Sequence, residues 1–211
     1  MGNEKILEAI KKARGSKKRN FKQSFDLAIN LKNIDFKKPE SKIKTEIKLP
    51  HFVKETKFCV IVDMLIPQAK NLENVTVIRR DQLEGFGKNK KEAKRLAREC
   101  SSFIAEASLM PLVGKFLGQI LAPKNLMPTP IPPTADLKSI IEQRKDILRI
   151  QLKDSPTIHL LIGTEDMDDN KIAENAEAII KSVISALPKG REQIKNYIIK
   201  LTMGSPIKFT L

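Results

Sequence analysis

The pattern of apolar residues changes twice along this chain, from alternation to short continuous runs and back. This change constrains the fold more than any other feature of the sequence. Residues 24–31 alternate apolar and polar side chains, which is typical of a strand with one buried face. A second alternation over residues 43–49 ends at Pro50. Because antiparallel sheets can leave one face in water, the two segments together predict an antiparallel sheet with one solvated face. A short amphipathic helix, with Ile6 and Ile10 on one side, is predicted before them.

Between residues 58 and 145 the apolar runs are short and continuous, and stretches with helical periodicity separate them. The predicted strands are 58–62, 75–78 and 103–105, and the predicted helices lie near 65–71, 89–100, 110–121 and 136–145. Apolar strands that alternate with helices are typical of a parallel sheet covered by helices. This part of the chain therefore predicts a Rossmann-like domain, which a strand from Ile147 to Leu152 would close or leave.

Beyond Pro156 the one-faced pattern returns. Residues 157–162 and 194–201 predict strands. Residues 169–187 predict an amphipathic helix whose amino terminus is capped by Asp168.

The simplest arrangement pairs the two terminal parts of the chain with each other. Since the termini of a domain often lie close together, insertion of one domain into a loop of another is physically easy. We therefore predict an α/β protein of two domains. Residues 1–54 and 154–211 would form a discontinuous split α+β sandwich, and residues 55–153 an inserted Rossmann-like parallel α/β domain.

The chain of 211 residues carries a net charge of +14, which indicates an anionic partner. Nucleic acid is the first expectation, because Lys and Arg gain free energy by releasing counterions condensed on phosphates. A membrane is the competing anionic surface, but no uninterrupted apolar stretch approaches the roughly 20 residues that span a bilayer. The amino-terminal residues lack the apolar core of a secretory signal. We therefore expect a cytoplasmic protein without a membrane partner.

The positive charge is concentrated before residue 155. Residues 1–56 hold 15 basic and 7 acidic side chains, whereas residues 155–211 hold 7 of each. The densest basic run, residues 88–98, has Glu92 among its Lys and Arg residues. We interpret this run as the solvent face of an amphipathic helix.

The cysteines and histidines predict neither a metal site nor a cross-link. Cys59 and Cys100 are too few and too far apart for a thiolate metal motif, and a cytoplasmic location argues against a disulfide. Both are therefore predicted to be buried thiols. His51 and His159 have no further ligands nearby in the sequence, so we expect no zinc site.

Two polar clusters resemble ligand motifs but lack essential members. Gly85 and Gly87 would let backbone N–H groups approach a phosphate, yet the third glycine of a dinucleotide fingerprint is absent and no Walker lysine–serine pair follows. The acidic group at 166–169 lacks the glycine and the closing glutamate of a calcium loop. Because no nucleophile, base and orienting acid come together recognisably, we expect no enzyme, no cofactor and no small-molecule substrate. The alternative is an α/β enzyme that uses the inserted domain, which a bound nucleotide would favour.

Aromatic usage separates two modes of nucleic-acid binding. The chain has 9 Phe and 1 Tyr but no Trp, and most of the Phe residues stand among apolar neighbours. Exposed rings that stack single-stranded bases are therefore not expected. Recognition of a folded RNA through its backbone shape and 2′-hydroxyl groups fits this composition better.

The apolar segment 109–133 is broken at regular intervals by proline and glycine. Pro111 suits the first turn of a helix, and Pro123 ends one. Gly114 and Gly118 lie four residues apart on one face, which predicts close approach to another backbone.

This segment closely resembles the signature of the ribosomal protein L-one family, in its archaeal form, at residues 109–114, 117–118, 120–121, 123–125 and 127–128. Ala122 and Asn125 stand where the commonest form of the signature has glycine. Since Asn tolerates positive φ better than most residues, we expect the turn to survive.

The resemblance covers essentially the whole chain and implies both a fold and a function. It implies an outer domain with a four-stranded sheet and two helices, in a structural protein of the large ribosomal subunit. Family members bind a folded junction of large-subunit rRNA and form the mobile lateral stalk near the tRNA exit site. They also bind a similar structure in their own messenger RNA and repress translation. By resemblance the partners are rRNA, the chain's own mRNA and exit-site tRNA, and the free protein is a monomer.

The resemblance also implies which residues contact RNA, and the principal contact is the trio that follows the last predicted strand. The implied RNA-binding residues are Phe21, Lys22, Ser24, Asp26, Lys44, Asn196, Thr202, Met203 and Gly204. Two departures from the family pattern, Ser205 before Pro206 and Phe52 in place of a glycine, affect the expected geometry of the local turn and of the hinge between the two predicted domains.

Overall fold

The structure is a computed structural model. It describes residues 2–17, 19–34, 43–51, 53, 57–63, 65–70, 72, 74–152 and 155–210. Phe52 lies outside the described residues. The side chain of Lys44 also lies outside the described part of the structure, although its backbone is described.

The described residues form helices and strands in the following order. They are α1 (Gly2–Arg14), β1 (Ser24–Leu31), β2 (Lys44–Lys48), β3 (Phe58–Ile61), α2 (Ile66–Lys70), β4 (Val75–Ile78), α3 (Arg80–Lys88), α4 (Lys90–Glu99), β5 (Ser102–Glu106), α5 (Met110–Phe116), α6 (Gly118–Leu121), β6 (Thr129–Ile131), α7 (Leu137–Lys145), β7 (Ile147–Gln151), β8 (Thr157–Thr164), α8 (Asp169–Ala186), β9 (Ile194–Leu201) and β10 (Ile207–Phe209). Short 3₁₀ turns precede α5 and β9.

The chain divides into two compact units. We call Met1–Lys54 together with Asp146–Leu211 the terminal unit, and Glu55–Lys145 the inserted unit. The α/β fold class, with one antiparallel and one parallel sheet of four strands each among the described residues, is confirmed.

The terminal unit is built on an antiparallel sheet with the strand order β10-β9-β1-β8. The alternation in β1 buries Phe25, Leu27 and Ile29 completely, and these side chains belong to one core with α1 and α8. The intervening side chains of β1 point to the opposite face, which no described helix covers with a core of its own. The predicted amphipathic helices and one-faced strands of this unit are confirmed.

The second alternating segment does not join this sheet, which corrects the prediction from the sequence. Strand β2 instead pairs antiparallel with β7, and the pair of strands adds Ile47 and Ile150 to the core of the terminal unit. Strand β7 was expected in the inserted domain. Alternation identifies a one-faced strand but does not reveal its partner, because pairing is decided by packing between distant segments.

The inserted unit is built on a parallel sheet with the strand order β4-β3-β5-β6. One core cluster joins one side of the sheet to α3, α4, α5 and α6. A second cluster joins the other side to α2 and α7. Helix α3 was not predicted: it contains the glycine pair considered above, and Gly87 lies so close to Phe116 that a Cβ would be 2.5 Å from the ring. These glycines therefore belong to a packed helix, not to a phosphate-binding loop.

The proline-rich segment of the inserted unit forms α5 and α6. Pro111 lies in the first turn of α5 and Pro123 follows the end of α6, as predicted. Asn125 has a φ of 59°, so the turn does use an asparagine in the left-handed region. The prediction for Gly114 and Gly118 is wrong: the helix breaks between them, and a Cβ at either position would have nothing within 4 Å.

Cys59 and Cys100 form a disulfide, so the prediction of two buried thiols is wrong. Cys59 lies in β3, and Cys100 ends α4 just before the neighbouring strand β5. Parallel pairing of these strands brings the two Cα atoms to 5.8 Å, although 41 positions separate them in the sequence. The argument from cellular location could not anticipate this geometry.

Asp168 lies at the N-cap position of α8, but its side chain makes no capping hydrogen bond. Its carboxylate instead lies 3.5 Å from Lys171. Among the described residues, none of the helices combines the length and the apolar character that crossing a membrane requires. The described part of the chain also has no group of three or more His, Cys, Asp and Glu side chains placed to hold a metal ion.

Candidate nucleic-acid interface

The start of β1 and the end of β9 meet at one edge of the antiparallel sheet. Phe25 is opposite Leu201 in the register, so residues 21–24 lie beside residues 202–204. We call the surface formed by Phe21, Lys22, Ser24, Thr202, Met203 and Gly204 the strand-end patch. Six of the predicted RNA contacts are thus brought together from segments that are about 180 residues apart.

Thr202 is fixed against Ser24 by three hydrogen bonds. Its backbone N–H donates to the Ser24 carbonyl at 3.1 Å. Its hydroxyl donates to the same carbonyl at 3.3 Å and accepts the Ser24 backbone N–H at 3.2 Å. Since a hydroxyl oxygen has two lone pairs, one acceptor position of Thr202 stays available to a ligand.

The turn that follows Thr202 is held by buried groups. The backbone N–H of Met203 donates to Gln23 Oε1 at 3.3 Å, and Gln23 is only 1% exposed. The Gly204 N–H donates to the Leu201 carbonyl at 2.9 Å. A Cβ on Gly204 would lie 3.1 Å from both the Leu201 Cβ and Ser16 Oγ, so only glycine fits this approach without a shift.

A loop between β8 and α8 supports the other side of the patch. The guanidinium of Arg14 donates to the carbonyls of Glu165 at 2.7 Å and Met167 at 2.8 Å, and to the Asp169 carboxylate at 2.9 Å. Glu165 in turn forms two hydrogen bonds with the backbone of Gln23, at 2.9 and 3.2 Å. This network connects Arg14 through the loop to the turn at Met203.

Lys22 is the cation of the strand-end patch, and Asp166 of the same loop pairs with it. The Lys22 ammonium lies 2.7 Å from the Asp166 carboxylate, and both side chains are exposed. The hydrogen bond and the charge of Asp166 raise the pKa of Lys22 above its ordinary value.

The patch exposes apolar side chains and free carbonyl groups side by side. Phe21 is 51% exposed and Met203 is 59% exposed, which is unusual for large apolar residues of the described chain. The carbonyl oxygens of residues 202–204 accept no hydrogen bond from any described residue. The patch therefore presents several fixed acceptors beside a small apolar surface.

Asp26 continues the patch onto the open face of the sheet. It is opposite Lys200 on β9 and opposite Leu161 on β8. Burial raises the pKa of the Asp26 carboxyl above its usual value, and the charges of Lys200 and His159 partly offset this shift. A shallow pocket of about 390 Å³ lies here, with Asp26, His159, Lys200 and Pro206 in its walls.

Two predicted residues are not brought to the strand-end patch. Asn196 lies on β9, on the same face of the sheet as Lys200. It precedes Thr202 by six residues, which is about 20 Å along a strand. Its side-chain oxygen accepts a hydrogen bond from Asn30 at 2.7 Å. Lys44 begins β2, in the separate two-stranded sheet.

Several residues that shape the site were missed in the sequence. The role of Lys200 could have been predicted from the sequence. Lys200 precedes Thr202 by two residues, so the alternation of side chains along β9 places both on the same face. Gln23 and Arg14 carry no comparable signal. Their importance comes from hydrogen bonds to segments that are more than 140 residues away.

The inserted unit shows where a nucleotide would bind if this were a dinucleotide-binding fold. Strand order reverses between β3 and β5, and ligands of open α/β sheets bind at such a crevice. Here Glu106, at the end of β5 and 1% exposed, accepts the backbone N–H groups of Asp63 at 3.1 Å and Leu65 at 3.0 Å. A carboxylate of the chain itself thus occupies the donors that a phosphate would use.

Comparison with known proteins shows the family to which the chain belongs. The family model described as "Ribosomal protein L1p/L10e family" matches residues 10–205. A "Large ribosomal subunit protein uL1" of Methanothermobacter thermautotrophicus is 44% identical over 208 residues, which cover 97% of this chain and 98% of that protein. The protein of the same name from Thermococcus kodakarensis is 45% identical over 208 residues, covering 97% and 96%. That of Methanothermococcus thermolithotrophicus is 46% identical over 209 residues, covering 98% of both chains. The resemblance noted in the sequence is therefore confirmed, and the chain belongs to the ribosomal protein L1p/L10e family.

Proposed function

We propose that this chain is a structural, non-enzymatic protein of the large subunit of the cytoplasmic ribosome, and that its strand-end patch binds a folded junction of large-subunit rRNA. Family membership supports the ribosomal role. The observation that carries the RNA site is the convergence of residues 21–24 and 202–204 on one rigid, exposed edge of the sheet. The site lies in the terminal unit, so we place specific RNA binding in that unit.

The chemistry of the patch suits the backbone of a folded RNA. Ribose 2′-hydroxyl groups can donate to the free carbonyls of residues 202–204 and to the remaining lone pair of Thr202. Phe21 and Met203 offer apolar area to ribose and base edges. Because the hydrogen bonds to Ser24 and Gln23 hold the acceptors before RNA arrives, little ordering entropy is lost on binding.

Charge adds a contribution that does not depend on RNA sequence. Lys22 and Lys200 lie around the patch, and phosphates can replace the exposed partner Asp166. Such contacts fix the position of the RNA, whereas the hydroxyl and carbonyl groups select its shape.

The finer role follows from the family resemblance stated above. We propose that the chain forms the mobile lateral stalk beside the tRNA exit site and contacts the tRNA there. We also propose that it binds a similar fold in its own mRNA and represses translation. The free protein is proposed to be a monomer.

The decisive experiment separates the Thr202 hydroxyl from its shape. Replacing Thr202 by Val removes the hydroxyl and leaves partner groups unsatisfied, at a cost of about 1 to 3 kcal/mol. Affinity for a large-subunit rRNA junction should fall about 10- to 100-fold, with an almost unchanged salt dependence. Thr202→Ser keeps the hydroxyl and should bind within a few-fold of the parent.

A charge variant supplies the opposite control. Lys22→Gln should weaken binding to the junction and to an unrelated RNA duplex alike, and it should reduce the salt slope by about 0.7 to 0.9. Folding of each variant is checked by circular dichroism. If Thr202→Val binds the junction as the parent does, the strand-end patch is not the RNA site.

A further inference from the structure

On helix α4 of the inserted unit, three basic residues share one row along the helix and the acidic residues lie off that row. Lys90, Lys94 and Arg98 are spaced four residues apart, so they form one row along the helix, about 12 Å long. The row lies beside the buried pair Ala93 and Ala97, and its three residues are exposed. Like charges at this spacing destabilise a helix, so the row carries a cost that folding alone does not explain.

The two acidic residues of α4 lie away from this row. Neither Glu92 nor Glu99 is three or four residues from Lys90, Lys94 or Arg98. Glu99 pairs with Arg95 at 2.8 Å, on the adjoining row that Arg95 shares with Lys91. Among the residues that the structure describes, no carboxylate lies within ion-pair distance of Lys90, Lys94 or Arg98.

Several exposed lysines in the helices of the terminal unit do have carboxylate partners. In α1, Lys12 pairs with Glu8 at 2.6 Å, and in α8, Lys181 pairs with Glu177 at 2.8 Å. Alternating charges with pairs four residues apart are what an ordinary solvated face needs. The face of α4 instead concentrates one sign of charge, and the structure adds to the dense basic run of the sequence that Lys90, Lys94 and Arg98 lie in one row.

We propose that the row Lys90–Lys94–Arg98, extended by Lys91 and Arg95, is a second RNA-binding surface that holds the phosphate backbone of a double-helical RNA. We call it the α4 row. It acts without reading sequence and independently of the strand-end patch, so it gives the inserted unit its own contact with RNA in the ribonucleoprotein particle.

The composition of this face favours RNA over the other anionic partners. Protein interfaces are depleted of Lys and enriched in aromatic residues, but the exposed side of α4 has three Lys residues and no aromatic residue. A membrane-surface helix inserts an apolar side, yet the apolar side of α4 is packed into the core of the inserted unit. The absence of exposed rings on α4 also disfavours stacking on single strands. Of the anionic partners considered, the phosphate backbone of a ribosomal RNA therefore fits this row of regularly spaced cations best.

The test compares two triple variants of the full chain with the same loss of charge. The first replaces Lys90, Lys94 and Arg98 by Gln. The matched control replaces Lys12, Lys171 and Lys181 by Gln, because each of these cations already has a carboxylate neighbour. The probe is an RNA duplex of mixed sequence, titrated across a range of salt concentrations.

Loss of the α4 row should lower affinity for the duplex about 10- to 100-fold at ~0.1 M salt and reduce the salt slope by about 2 to 3, since three phosphate contacts are lost. The control should change the affinity less than about threefold. Equal effects of the two variants, or parental binding by the first, would overturn the proposal. So would an equal loss of binding to polyglutamate or to phosphatidylserine vesicles, because the surface would then be a general anion site.

Single substitutions keep the test valid if the triple variant folds poorly. Lys94→Gln should reduce the salt slope by about 0.7 to 0.9, whereas Lys94→Arg, which keeps the charge, should leave it unchanged. A Thr202→Val chain tested on the same duplex distinguishes the two sites. It should keep the salt slope of the parent even if the α4 row fails its own test.

Discussion

The two sheets of this protein differ in how much of their surface a partner can reach. The antiparallel sheet of the terminal unit packs its helices on one side, so polar residues of β1, β8 and β9 remain available on the other. The parallel sheet of the inserted unit has a core cluster on each side. The faces of its described strands are therefore covered, whereas the exteriors of helices such as α4 are exposed. A sheet edge with fixed acceptors suits shape recognition, and a helix exterior with a row of cations suits phosphate binding.

The two units also differ in how distant segments are joined. The terminal unit relies on apolar packing, and it gathers β2 and β7 onto the same core as the main sheet. The inserted unit adds a covalent link between β3 and the residue before β5. Each of these interactions joins segments of a single unit, and the following predictions test whether its effect on stability stays in that unit.

The largest effect should come from the disulfide. Closing a loop of 41 residues is worth about 4 kcal/mol in the chain-entropy description. Reduction with dithiothreitol should lower the free energy of unfolding of the inserted unit by up to that amount and leave the terminal unit unchanged. Amide hydrogen exchange resolved along the chain measures both units in one sample.

A variant without sulfur provides the control for reduction. With both Cys59 and Cys100 replaced by Ala, dithiothreitol should have no effect on exchange in either unit. If reduction instead accelerates exchange in β1 and β9, stabilisation by the cross-link is not confined to the inserted unit.

The next effect concerns the unit to which β7 belongs. Ile150 is 1% exposed and packs in the core of the terminal unit, so Ile150→Ala should cost about 2 to 5 kcal/mol there. Exchange should accelerate in β1, β8 and β9 and stay parental in β3 and β5. Acceleration confined to the parallel sheet would return β7 to the inserted domain, where the sequence pattern had suggested it.

The smallest effects come from a matched pair of glycines. Gly204→Ala forces its Cβ against Leu201 and Ser16 and should destabilise the terminal unit by about 1 to 3 kcal/mol. Gly114→Ala lies in α5 with free space around it and should stabilise the inserted unit by about 0.5 to 1 kcal/mol. Thermal unfolding followed by amide hydrogen exchange measures the change in stability of each unit, and the two changes should have opposite signs. A stabilising Gly204→Ala would show that the turn of the strand-end patch is not tightly packed.

Much of the fold could be predicted from the sequence where the signal is local. Alternation over residues 24–31 and 194–201 gave strands with the observed buried faces. Pro111 and Pro123 marked a helix start and a helix end, and Asn125 was compatible with the turn that it forms. The candidate site was located through the family resemblance, because Thr202 and Met203 alone indicate only the end of a strand.

The failures concern long-range partners. The partner of β2, the link between Cys59 and Cys100, and the supporting role of Gln23 all depend on contacts between segments more than 40 residues apart. Helix α3 was not predicted because its two glycines resemble a loop, whereas in the fold Leu83 packs in the core and Gly87 leaves room for Phe116.

The sequence by itself determined the two styles of sheet, the positive charge and the family, since periodicity, composition and signature residues can be read without knowing contacts. Only the tertiary structure decided which strands pair, which cysteines meet, and how residues 21–24 come to lie beside residues 202–204. The physical reason is that periodicity reflects which side of one segment is buried. Pairing instead reflects the packing free energy of several segments at once, to which each segment contributes only a part.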